Sequence, residues 1–121
     1  MIFPGALGDF LLALPTLRRL RRRHHTARGT LVVGGALRAL ARASGVADEI
    51  ASLDDASTAW LFGGTTMPSW LASRPAVYSW LGSDPALADR LAGAARSVCL
   101  LGVERGPGRL HATVAYARAA G

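Results

Sequence analysis

Five short runs rich in branched or aromatic apolar side chains recur along the chain, at 1–3, 30–33, 49–53, 76–80 and 97–101, with more than a dozen residues between each and the next. Gaps of that length are too long for hairpins. The segments filling them are rich in Ala, Leu and Arg and read as helices at 10–23, 36–43, 55–62, 68–73 and 85–94, with a last one at 111–120. Strands that alternate with helices pair in parallel, because each crossover helix carries the chain back to the end of the sheet where it started. The predicted fold class is α/β, a Rossmann-like parallel sheet with flanking helices. A length of 121 residues, half of them hydrophobic, suits one core and one domain and argues against disorder. Within that domain, 104–110 reads as a linker-like stretch, and the first strand is very short.

Local punctuation supports several boundaries. Ser83-Asp84-Pro85 offers a capping side chain and then a proline at the first helical position, where a missing N–H costs nothing. Ser44-Gly45 and Gly63-Gly64 each close a helical segment, because glycine tolerates the left-handed conformation that helix stops favour. In the first helix, Phe10, Leu11, Leu14 and Leu17 mark an apolar face, and Arg18, Arg19, Arg22 and Arg23 point elsewhere. Arg21 falls back on the apolar side, its stem expected to snorkel. Pro15 is expected to kink the helix or delay its regular start.

The charge is one-sided. All 14 basic residues are arginines, and against 8 acidic residues they give a net charge of +6. Such a surface attracts anionic partners without choosing among them. The run "RRLRRRHH" at 18–25 is either a solvated helix face or a contact for phosphates of an acceptor, for an acidic membrane surface or for nucleic acid. No aromatic residue interleaves with these arginines to stack bases, so nucleic acid is not expected as a partner. Adjacent His24 and His25 cannot face one metal from a helix, and no metal site is expected. Cys99 has no partner for an internal disulfide, and its neighbours in "SVCLL" predict a buried thiol in a reducing compartment. No run is long enough to span a membrane and none resembles a secretory signal, which points to the cytoplasm. Trp60, Trp70 and Trp80 are expected as core or rim anchors, and His111 stands at the start of the last predicted helix. No serine has the context of a nucleophile elbow.

One stretch raises a question of chemistry. In "PGALGDFLLALP" the loop after the first strand falls at the carboxyl edge of the sheet, where α/β folds bind ligands. Gly5 and Gly8 allow close backbone approach or positive φ there, and Asp9 is held at the floor of the crevice. Read locally, Asp9 is either a helix N-cap, worth about 0.5–2 kcal/mol over alanine, or a general base. A carboxylate, with an ordinary pKa near ~3.9, cannot deprotonate a resting alcohol. It can accept the proton late, once bond formation has made the hydroxyl acidic. The loop fits neither the dinucleotide fingerprint nor the phosphate-loop pattern.

The run "PGALGDFLLALPTLRRLRRR" resembles the N-terminal signature of the ADP-heptose:lipopolysaccharide heptosyltransferase family, in which a strand leads through a Gly-Asp loop into a Leu-rich helix containing "LP". "GTLVVGGALRALARASGVADEI" and "YSWLGSDPALADRLAGAARSVCLLG" resemble the later strand and helix order of that family. The resemblance implies one half of a GT-B architecture, the acceptor-side domain of an inverting glycosyltransferase. It implies a catalytic-base role for Asp9 and acceptor binding by Gly5, Ala6, Gly8, Arg18 and Arg22. The donor would be ADP-heptose, with no further cofactor and no metal, and it would be bound mainly by a donor domain that these 121 residues do not include. The acceptor would be a lipopolysaccharide core or similar glycan at the inner face of the inner membrane, reached by peripheral contact. Activity would then require a second domain. The alternative is a catalytically silent α/β module derived from that family, serving in binding or in assembly as a homodimer.

Overall fold

The computed structural model describes residues 1–81 and 84–101. The sequence-predicted linker at 104–110, His111 and the helix at 111–120 lie outside them. The described chain forms five strands, β1 (Ile2–Phe3), β2 (Thr30–Val33), β3 (Glu49–Ser52), β4 (Ala76–Ser79) and β5 (Ser97–Leu100), and three α-helices, α1 (Leu7–Arg23), α2 (Arg38–Ser44) and α3 (Pro85–Ala94). All the strand pairings are parallel, in the order β3-β2-β1-β4-β5. This is the Rossmann-like α/β sheet that the alternating pattern predicts.

The sheet is doubly wound, and side-chain alternation shows why. Phe3, Leu31 and Val33 point to one face, where Phe10, Ala13 and Leu17 of α1 and Ala41 of α2 complete a core. Ile2, Val32 and Val77 point to the other, against Leu61, Leu71 and Leu87, Leu91 of α3. A strand covered on both faces has no polar side, which is why β1 and the inner part of β2 are continuously apolar. The predicted helices at 55–62 and 68–73 are 3-10 segments, Ala56–Phe62 and Ser69–Leu71. Gly45 and Gly63 close their helical segments at φ +65° and +105°. Asp84 caps α3 by accepting from the Ala86 N–H at 3.0 Å, with Pro85 following it.

Several expectations are corrected. Helix α1 begins at Leu7 rather than at residue 10, its first turn closed by Phe10 N–H donating to Ala6 O at 2.9 Å. Pro15 therefore does not delay the helix. Gly8 lies inside the first turn, with no positive φ, and the N-cap is Ala6, so Asp9 is the third helical residue and not the cap. The buried face is Phe10, Ala13, Thr16, Leu17 and Leu20, whereas Leu11 is exposed. Small Ala13 and Thr16 let the helix axis approach the sheet, and leucine count alone points to the wrong side. Cys99 is exposed, because β5 is the edge strand among the described residues and its apolar sequence exceeds the burial the sheet provides there.

Arg21 does more than snorkel. Its guanidinium donates to both Asp48 oxygens, at 3.0 and 3.2 Å, and to the His24 and Ala27 carbonyls. Asp48 also accepts from the Gly29 N–H at 2.6 Å. That backbone hydrogen bond, with the Arg21 charge beside it, holds the Asp48 carboxyl below its ordinary value. The clasp ties the end of α1 to the turn before β3.

Candidate functional site

The strand order fixes where a site can lie. The chain winds outward from β1 through β2 to β3 and then returns to β4 on the other side of β1. The reversal sets a topological switch point between the carboxyl ends of β1 and β4, the position where sheets of this class bind ligands. Phe3 leads there into Pro4-Gly5-Ala6, and Ser79 into Trp80-Leu81. Ser79 Oγ donates to Leu81 O and accepts from Leu81 N–H at 3.1 Å, which fixes the turn.

Gly5 is required by contact rather than by backbone angle. A methyl group on it would stand 2.6 Å from Phe3 Cε1 and 3.0 Å from Asp9 Cβ. The backbone thus threads between the Phe3 ring and the Asp9 side chain. Phe3 cannot yield, since it is buried edge-on between Phe10 and Trp80, with ring centroids 5.9 and 5.6 Å away. Gly8 has nothing within 4 Å of an added methyl group. Asp9 is half-buried, at the positive end of α1, where a carboxylate is favoured. The first backbone N–H groups of α1 have no partners within the helix and open toward the same edge. A carboxylate beside such donors can orient a hydroxyl and take its proton.

The structure brings Gly5, Ala6, Gly8 and Asp9 together at this edge. It does not bring Arg18 and Arg22 to them. At 1.5 Å per helical residue these lie about 14 and 20 Å further down α1, and both are exposed.

A second cluster at the carboxyl edge went unnoticed in the sequence. Asp54, just after β3, accepts from the Gly35 N–H at 2.7 Å, and Asp55 accepts from Arg38 at 2.8 Å and from the Ser52 N–H at 3.1 Å. Thr58 Oγ1 donates to Ser52 O at 2.7 Å. The signal was "SLDDAST", aspartates and hydroxyls that bind local backbone and build turns. Both carboxylates are committed to holding the loops after β2 and β3.

A cleft of about 400 Å³ lies at the opposite, amino edge, lined by Met1, Arg28, Thr30, Glu49 and Trp70 among others. Met1 is half-buried as a residue, but its α-nitrogen sits inside the sheet, donating to Thr30 O at 2.8 Å while Met1 O accepts from Val32 N–H at 2.9 Å. Burial of this amine lowers its pKa from 8.0 to about 5.

The three tryptophans are half-buried rim anchors. Trp60 and Trp70 pack against the core on the α3 side and Trp80 against the other, and Arg90 stacks over Trp60 at 4.6 Å. His24 pairs with the Tyr78 hydroxyl at 2.9 Å, and His25 Nδ1 lies 3.2 Å from Arg22 O. Among the described residues no group of three or more His, Cys, Asp or Glu is placed to hold a metal ion. No described helix is long and apolar enough to cross a membrane. Protein-family models, curated proteins and solved structures, searched in turn, give no match to the chain.

Proposed function

We propose that the chain is the acceptor-binding half of an inverting glycosyltransferase of the heptosyltransferase type. The observation that carries this reading is the position of Asp9, half-buried in the first turn of α1 and beside the β1–β4 switch point. In this scheme an acceptor hydroxyl sits over the start of α1, its oxygen held by backbone N–H groups of the first turn and its proton directed at the Asp9 carboxylate. As the oxygen attacks the anomeric carbon of the donor, the new C–O bond forms and the bond to the leaving diphosphate breaks, with inversion. Asp9 takes the proton as the hydroxyl becomes acidic. Gly5, Ala6 and Gly8 keep this edge low, so that a sugar ring can approach the backbone. Arg18 and Arg22 are too distant to touch the same hydroxyl and would meet only an outlying anionic part of the acceptor. ADP-heptose, the donor implied by the sequence resemblance, would be held chiefly by a second domain.

The test is transfer from ADP-heptose to a truncated lipopolysaccharide core, with the chain supplied together with a donor domain. Asp9→Asn keeps the shape of the side chain and removes its basicity. The expected result is a kcat lower by about 10²–10⁴-fold with little change in KM. Equal rates for the two proteins would end the base assignment. Tight acceptor binding with no transfer by the completed wild type would support the alternative, a silent binding module.

A further inference from the structure

We propose that the solvent face of α1 is a docking surface for an anionic lipid bilayer. At 100° per residue, positions 7, 11, 15, 18 and 22 fall within a stripe about 80° wide, and all five are exposed. Its N-terminal half carries Leu7 and Leu11, which are 54% and 49% exposed although α1 already buries Phe10, Leu17 and Leu20 on its other side. Its C-terminal half carries Arg18 and Arg22, with exposed Arg19 along the flank. None of the ion pairs among the described residues uses these arginines. Apolar side chains and free guanidinium groups on one helix face are the two halves of interfacial binding: the leucines enter below the headgroups and the arginines meet lipid phosphates.

Other occupants use only part of this face. A free phosphate or a nucleic acid would engage the arginines and leave both leucines in water. A second copy would set leucines against guanidinium groups. The stripe, roughly 22 Å by 10 Å, also falls far below the ~800 Å² per partner of a stable interface. A bilayer satisfies both halves at once. The inference stands on the helix face alone and does not depend on the transfer reaction.

The experiment is co-sedimentation of the full chain with vesicles of phosphatidylcholine alone and of phosphatidylcholine with one part in three phosphatidylglycerol. These lipids carry no glycan acceptor, so the result is separate from that of the transfer assay. The expected outcome is binding to the anionic vesicles, weakened by salt as screening rises. Leu7→Ser with Leu11→Ser should lower the partition constant about tenfold or more, and Arg18→Glu with Arg22→Glu should abolish the preference for anionic lipid. All four positions are exposed, and circular dichroism checks that the variants stay folded. The salt dependence of the wild type tests the arginine half without any variant. No wild-type binding, leucine variants that bind as well as wild type, or a dimer in sedimentation equilibrium that the leucine variants dissolve would each overturn the proposal.

Discussion

The two ends of the central strand differ in how they are made. At the carboxyl end, Phe3 passes into a glycine wedged between an aromatic ring and a carboxylate side chain, and a helix starts at once. At the amino end, the Met1 nitrogen fills a ladder position beside a cleft of about 400 Å³. The cleft at the amino end is lined by the starts of neighbouring strands. The carboxyl end is shaped by side chains that fit one another closely. Local construction and α/β topology thus point together to the carboxyl edge.

The largest effect that separates these ends concerns the Met1 amine. Its folded pKa, about 5 against an ordinary 8.0, means that the folded amine is neutral between those values while the unfolded one holds a proton. The unfolded state binds more protons, so stability rises with pH across this window, by up to about 4 kcal/mol, and the amine contributes no slope below 5 or above 8. Urea unfolding of the chain with a free α-amine, measured from pH 5 to 8, should show that rise. Acetylating the α-amine removes the charge and should flatten the curve. Equal slopes for both forms would mean that the nitrogen is not buried, and the contrast between the ends would lose its energetic side.

Next in size is Gly5→Ala. The added methyl group meets the Phe3 ring at 2.6 and 2.7 Å, and that ring is held by Phe10 and Trp80. Overpacking of this kind costs about 1–3 kcal/mol, read as a lower urea midpoint at unchanged slope. A neutral result would show that the carboxyl edge is looser than its contacts indicate.

Gly8→Ala sharpens the same end in the opposite direction. Nothing lies within 4 Å of the added methyl group, and the residue is helical. Alanine should therefore stabilise by about 0.5–1 kcal/mol, seen as a higher melting temperature. In sequence, Gly5 and Gly8 looked alike, two glycines of one loop. They differ because α1 starts at Leu7, and the start was hard to read because Ala6 offers no capping side chain and Gly-Asp imitates a loop.

The same limit recurs elsewhere. Strands β2 to β5 and helix α3 were legible because β-branched runs, Asp84-Pro85 and the helix-stopping glycines act within a few residues. The buried face of α1 was not, because small Ala13 and Thr16 turn inward and Leu11 does not. Asp9 was legible as a carboxylate at the edge, whereas the contacts that join Asp54 to Gly35 and Asp55 to Arg38 emerge only once β2 and β3 are paired.

The smallest predicted effect tests a contact no sequence pattern announced. Asp48 lies 27 residues beyond Arg21 and meets it only because α1 and the turn before β3 converge on the amino edge. The Gly29 N–H and the Arg21 charge favour its ionised form, so its folded pKa falls below 3.8. The sign is the reverse of that at Met1. The contribution is present above the ordinary carboxylate value and is lost as pH falls through the lower folded value. A carboxyl-carbon NMR titration should place Asp48 below an unpaired aspartate, and Arg21→Gln should move it back only part of the way, because the Gly29 hydrogen bond, the largest single cause, remains. A full return would make the guanidinium the principal partner. The Asp48 carboxylate would then be held by side-chain charge alone, and not by the Gly29 N–H and the guanidinium together.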